Sequence, residues 1–233
     1  MSNIVKKVGS ASALAALAKR AAAGRQVEVR YEEALVFVID HSVSMMRRAP
    51  SSRSASHPSF ESRMEAVQRS VLPQHKKCRP GRTRTGLVTF GEEGKMRAAI
   101  AKPHALVSEA LSGVRPLGGT CLWRGLAVSR SMLARELPRP SVLRVVALSD
   151  GEDGEPTRAI SEAQACGEAG VVVDSVWFGE EGDGGDDLLR RVSELTGGKF
   201  ARCTDASELE EKFVQLEVEA RGLLLGDGKK SGA

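Results

Sequence analysis

Short, nearly continuous apolar runs separated by helical patterns constrain this chain most. Ala34-Leu35-Val36-Phe37-Val38-Ile39 and Leu143-Arg144-Val145-Val146-Ala147-Leu148 are rich in β-branched side chains and do not alternate with polar ones. Runs of this length and composition read as strands buried on both faces, as in a parallel sheet. Gly86–Phe90 and Val171–Phe178 read the same way. Met96–Ala101 is a shorter strand, antiparallel at an edge, and Phe200–Cys203 is a short final one. Helical periodicity is predicted over Arg63–Val71, His104–Ser112, Leu122–Leu137, Thr157–Ala169, Leu188–Thr196 and Ser207–Leu224. Alternation of this kind gives an α/β fold: a doubly wound, mostly parallel central sheet with one antiparallel edge strand and helices on both faces.

In open α/β sheets, ligand sites lie outside the carboxyl ends of the strands. The first apolar run ends in Asp40-His41-Ser42-Val43-Ser44. A carboxylate and two hydroxyls at alternate positions make an all-oxygen cluster, which suits hard cations such as Mg²⁺. Asp and Ser are also common in turns and at helix N-caps, so this spacing alone is more often a cap than a metal site. Two further segments change the balance. Gly118-Gly119-Thr120 precedes a helix, and the 143–148 run ends in Ser149-Asp150-Gly151. Thr120 and Asp150 therefore belong on the same rim as the first motif.

These residues resemble the von Willebrand factor A (vWA) family, in the manner of a bacterial intracellular member. In that family a D-x-S-x-S loop, a distant threonine and a distant aspartate form a metal-ion-dependent adhesion site. The matching residues here are Asp40, Ser42, Ser44, Thr120 and Asp150. Thr85 to Gly91 resembles the family's second strand, and Val171 to Phe200 its last strand–helix–strand unit, so the likeness covers residues 30 to 220. One position departs: the family usually has glycine where Val43 stands, and a β-branched residue resists positive φ. The resemblance implies Mg²⁺, or else Mn²⁺ or Ca²⁺, held partly through water. The coordination sphere is then completed by an Asp or Glu of another protein. It also implies partner types, because intracellular members work beside AAA+ ATPases, kinases or phosphatases.

An open coordination position would also serve a hydrolase or phosphatase, which needs a positioned base. His41 is the one neighbouring candidate, and strand alternation aims it away from Asp40 and Ser42. With serine at position 42, there is no second aspartate to support Asp40 as a phosphoryl acceptor. The expectation is therefore a binding module and not an enzyme, with a metal-dependent hydrolase as the alternative.

Charge raises two further partner classes. Residues 1–149 carry 25 Lys and Arg against 10 Asp and Glu, a net +15, while residues 150–233 carry 9 against 20, a net −11. Basic residues concentrate between Arg47 and Arg84, which reads first as a solvated face and next as a surface for an acidic partner. A polyanion or nucleic-acid surface is the lesser reading, because the stretch has no Tyr or Trp for stacking. If the charges segregate in space, head-to-tail self-association becomes an option, with a carboxylate of the acidic segment Glu180–Asp187 entering a neighbour's metal site. Taken by itself that segment reads as a turn, with Asp186 or Asp187 as N-cap. Trp123 reads as a packing residue or a rim anchor.

Cys78, Cys121, Cys166 and Cys203 are far apart and form no C-x-x-C pair, so free thiols in a reducing cytoplasm are expected. No apolar run is long enough to span a membrane. Residues 1–27 read as an Ala-rich helical extension rather than a secretory leader. Residues 28–225 read as the domain and 226–233 as a polar tail.

Overall fold

The structure is a computed structural model. It describes residues 31–50, 61–77, 82–101, 105–137, 140–213 and 215–216. The expected N-terminal helix, the polar tail, residues 51–60 of the basic stretch, Cys78 and the end of the last expected helix lie outside the described residues.

Among the described residues, six strands form one sheet: β1 (Glu33–Asp40), β2 (Thr83–Phe90), β3 (Gly94–Ala101), β4 (Val142–Ser149), β5 (Val171–Phe178) and β6 (Phe200–Cys203). Their order is β3-β2-β1-β4-β5-β6. All neighbours are parallel except β2 and β3, so β3 is the antiparallel edge strand expected. Among the described residues, five helices connect them: α1 (Arg63–Lys77), α2 (Ala105–Ser112), α3 (Leu122–Leu133), α4 (Pro156–Glu168) and α5 (Asp186–Thr196). Further helical residues follow at 209–213 and 215–216.

Strand alternation divides the core in two. Leu35, Phe37, Ile39, Leu87, Val146, Leu148 and Val176 face one way, against Val67 and Val71 of α1, Leu111 of α2 and Leu209, Phe213 and Leu216. Val36, Val38, Val88, Val145, Ala147 and Val173 face the other, against Leu126 and Leu133 of α3, Ala159 and Ala163 of α4 and Leu189 and Val192 of α5. A sheet covered on both faces cannot alternate in polarity, which is why its central strands read as unbroken apolar runs. Truncating a central residue such as Ile39 to Ala should cost about 2–5 kcal/mol.

Several helix ends differ from expectation, and α1 runs on to Lys77 instead of ending at Val71. The α3 helix stops at Leu133 instead of Leu137, whose side chain is 80% exposed. Gly185, with φ 94°, precedes α5, so Asp186 and Asp187 sit inside its first turn instead of capping it. There the carboxylates still face the positive end of the helix dipole. Among the described residues, no helix is long and apolar enough to cross a membrane.

Candidate functional site on the sheet rim

Parallel pairing carries three loops to one edge. Ile39 lies opposite Leu148 in the β1–β4 register, so Asp40 and Ser149 end adjacent strands. The Ser149 hydroxyl donates to Asp40 Oδ2 at 2.6 Å, and the Ser42 N–H donates to Asp40 Oδ1 at 2.7 Å. Val43–Met46 then forms a single 3₁₀ turn. The loop before α3 is strapped to this turn: the Leu117 N–H donates to the His41 carbonyl at 2.6 Å, and the Val43 N–H to the Gly118 carbonyl at 3.0 Å. Gly118 adopts φ 77° at that crossing, a conformation that favours glycine. No described non-glycine residue has positive φ, so Val43 enters the loop without that strain. Its side chain is 53% exposed.

The third loop follows β4. The Gly154 N–H donates to the Thr120 carbonyl at 2.9 Å, which pins the threonine. The Asp153 carboxylate accepts the Leu122 and Glu155 N–H groups and so caps α3 from outside the helix. Pro156 starts α4, where its missing N–H would have had no partner in any case.

Ser42, Ser44, Thr120 and Asp150 line one cavity of about 410 Å³, shared with Arg47, Gly118, Gly151, Glu152 and Gly182–Gly184. Asp40 lies fully buried beneath it. The hydroxyls form a directed chain. Ser44 Oγ donates to Asp150 Oδ1 at 2.7 Å, and the Ser42 and Ser44 hydroxyls are 2.8 Å apart. Each hydroxyl has one proton. Since Ser44 gives its proton to Asp150, Ser42 must donate to Ser44. The lone pairs on Ser42 Oγ are then left for other work.

Asp40 is the electrostatic anomaly of the site. Burial pushes its carboxyl pKa up to about 7, against the hydrogen bonds from Ser149 and Ser42, and the nearby Asp150 charge pushes the same way. Among the described residues no cation pairs with it. Asp150, in contrast, receives Arg63 Nη1 at 2.7 Å. Arg63 opens α1, is 2% exposed, and donates through Nη2 to Asp183 at 2.7 Å. Among the described residues no group of three or more His, Cys, Asp or Glu is arranged to hold a metal. The donor set is instead two carboxylates with three hydroxyls, all oxygen, the type that suits a hard cation.

Sequence reasoning missed Arg63, Ser149 and Asp183. Arg63 was grouped with a solvated basic face, and only its first-turn position in α1 hinted otherwise. Asp183 was read as part of a turn. It is tied to Arg63, and its carboxyl is held below the usual range: burial pushes it up, but the Glu180 N–H and Arg63 outweigh that. A head-to-tail contact through this loop would therefore have to use other carboxylates, such as the exposed Glu180 and Glu181. His41 is 7% exposed, packs against Gly91 and does not line the cavity. Burial is the main cause of its lowered pKa. Trp123 is half-buried between the Arg124 and Arg158 guanidiniums and donates to Glu155.

Known structures share this architecture. BatB from Bacteroides thetaiotaomicron superposes with a TM-score of 0.66 at 14% identity, covering 80% of this chain and 97% of that one. An aerotolerance-related membrane protein from Bacteroides fragilis gives 0.63 at 15% identity, covering 78% and 96%. Proximal thread matrix protein 1 of the mussel byssus, with a zinc-occupied MIDAS motif, gives 0.61 at 18% identity, covering 82% and 46%. At such identities the likeness establishes the fold. No curated protein matches the chain by sequence. The family model of the von Willebrand factor type A domain matches residues 35–152, from within β1 to just past Asp150. That span is more than half of the chain and runs from β1 into the start of the loop after β4, and the chain belongs to the von Willebrand factor type A domain family.

Proposed function

We propose that this domain is a divalent-cation-dependent protein-interaction module. Its cation would be held by Asp40, Ser42, Ser44, Thr120 and Asp150, directly or through water. The family as a whole commonly mediates protein–protein interaction rather than catalysis. The observation that carries the reading is Asp40: a fully buried carboxylate, raised to about 7, with no protein cation beside it among the described residues. A buried charge is expensive unless it is paired or coordinates a metal. The hydroxyls of Ser42 and Thr120 border the same cavity with lone pairs to offer. When bound, such a cation supplies an electrophilic coordination position that a carboxylate can fill. Mg²⁺ suits the set, with Mn²⁺ or Ca²⁺ as alternatives. The zinc of the mussel protein adds a fourth ion worth titrating.

The partner would present an Asp or Glu into the cavity mouth. Ser42, Ser44 and Thr120 would orient the cation, with Asp150 accepting the Ser44 hydroxyl and Asp40 accepting the Ser42 N–H behind them. A cytoplasmic setting belongs to the same proposal. It is supported by the unpaired Cys121, Cys166 and Cys203, of which burial raises the last two to about 12 and about 11.

Other readings find less support. A hydrolase needs a base on the cavity, and His41 is packed elsewhere. A polyanion surface needs free basic side chains, yet Arg63, Arg69 and Arg82 are paired with Asp150, Glu61 and Glu32, and Arg84 stacks on Tyr31.

The test is calorimetric titration of Mg²⁺ into wild type and Asp40→Ala, followed by capture of interacting proteins in Mg²⁺ and in chelator. Saturable binding lost in Asp40→Ala, with capture lost in chelator, supports the reading. Equal capture in both buffers refutes it.

A further inference from the structure

We propose that Arg63 is a positioning residue that couples the cation at the rim to the loop between β5 and α5, so that this loop forms a wall sensitive to occupancy. The inference rests on the cation reading above.

One buried guanidinium is shared. Arg63 Nη1 reaches Asp150 Oδ2 at 2.7 Å and the Asp150 carbonyl at 3.3 Å, while Nη2 reaches Asp183 Oδ2 at 2.7 Å. Its Nε has no partner, so the side chain is held through these two carboxylates and that carbonyl. A guanidinium is a planar fork, and a shift of one partner rotates the other end. Asp150 Oδ1 already receives the Ser44 proton. Any cation at Ser42 and Ser44 therefore competes with Arg63 for the negative charge of Asp150.

The loop is also packed too closely to ignore such a shift. A Cβ at Gly185 would lie 2.1 Å from the Gly151 carbonyl oxygen, and one at Gly184 would lie 2.3 Å from Glu152 Oε1. At Gly185 the two loops touch backbone to backbone, and at Gly184 the Glu152 side chain lies directly against the loop. Asp183 accepts the Glu180 N–H at 2.9 Å, which closes its own turn. Movement of Asp183 thus moves the loop as a unit. Gly182, Asp183 and Gly184 line the same cavity as Ser42 and Thr120, so the unit that moves is part of the wall a partner would meet.

The protein holds its own reporter. The fully buried Trp177 donates through Nε1 to the Gly184 carbonyl at 2.9 Å. The chain has two tryptophans, so a Trp123→Phe background leaves Trp177 as the sole indole.

The experiment uses the full chain in that background, with Mg²⁺ alone as the probe. Calorimetry reads affinity and Trp177 emission reads the loop. The emission should respond to Mg²⁺ with the calorimetric midpoint. Asp183→Asn should still bind Mg²⁺ but lose most of the emission response. Arg63→Met should lose the response as well, and it should bind Mg²⁺ about tenfold more tightly, because Asp150 is freed of its competitor. If Arg63→Met fails to fold, Asp183→Asn decides alone. An undiminished emission response in Asp183→Asn overturns the coupling, as does calorimetric binding by the parent protein without any emission change. Absence of Mg²⁺ binding in the parent protein overturns the cation reading itself, and the coupling falls with it.

Discussion

Among the described residues, Arg144 and Arg63 are almost fully buried, and both are shared between two carboxylates. Arg144 sits early in β4, paired with Asp174 of β5 and 3.6 Å from Glu33 of β1. It also donates to the Leu216 carbonyl at 3.0 Å, and Asp174 accepts the Lys199 N–H at 2.7 Å. That cluster is closed, because sheet and helix cover it. Arg63 sits at the carboxyl ends of the strands, and its cluster borders an open cavity. There, among the described residues, Arg63 pairs with Asp150 and Asp183 and leaves Asp40 without a cation. The same side-chain chemistry is architectural at one end of the sheet and unfinished at the other. An ion pair acquires a functional reading when its charges do not close.

Breaking the closed cluster should have the largest effect. Arg144→Leu strands a buried Asp174, and removing one partner of a buried pair costs about 3–5 kcal/mol. Urea denaturation should register that loss, while Mg²⁺ titration of the folded fraction should be unchanged. A loss under about 1 kcal/mol would mean that Asp174 finds water or another donor.

The open cluster should respond in the opposite sense. In chelator at pH 8, Asp40→Asn should stabilise the protein by roughly 1–3 kcal/mol, by removing an uncompensated buried charge. The folded-state pKa of about 7 lies above the ordinary 3.8, so between these values the folded protein binds a proton that the unfolded chain does not. Wild-type stability therefore falls as pH rises through that window. The advantage of Asp40→Asn should vanish by about pH 4. Thermal melts across pH 4–8 would check this, and a constant difference between the two proteins would show that charge is not the cause. Mg²⁺ at pH 8 should reverse the order, raising the melting temperature of wild type and leaving Asp40→Asn unmoved.

The smallest effect is expected at Val43. It is exposed and free of positive φ, so Val43→Gly should change stability by no more than about 1 kcal/mol, chiefly by loosening the unfolded chain. Its Mg²⁺ affinity should match that of wild type in the same calorimetric titration. A large gain in affinity would mean that the valine does distort the loop.

Sequence alone determined what depends on neighbours along the chain. Unbroken apolar runs mark strands covered on both faces, because such strands have no solvent side to mark with polar residues. The rim motif was legible for the same reason: Asp40, Ser42 and Ser44 sit within five residues, and Thr120 and Asp150 each sit where a helix starts or a strand ends. The antiparallel edge of β3 was legible from its short return after β2. Tertiary structure alone decided which charges meet. Arg63 is 87 residues from Asp150 and 120 from Asp183, and apart from its place at the start of α1 little local sets it apart from Arg69, which stays half-exposed against Glu61. Ser149 became the partner of Asp40 only when β1 and β4 paired in register. Burial turned Asp40 from an ordinary turn carboxylate into an uncompensated charge. Pairing and desolvation are set by distance in space, and periodicity along the chain carries no record of them.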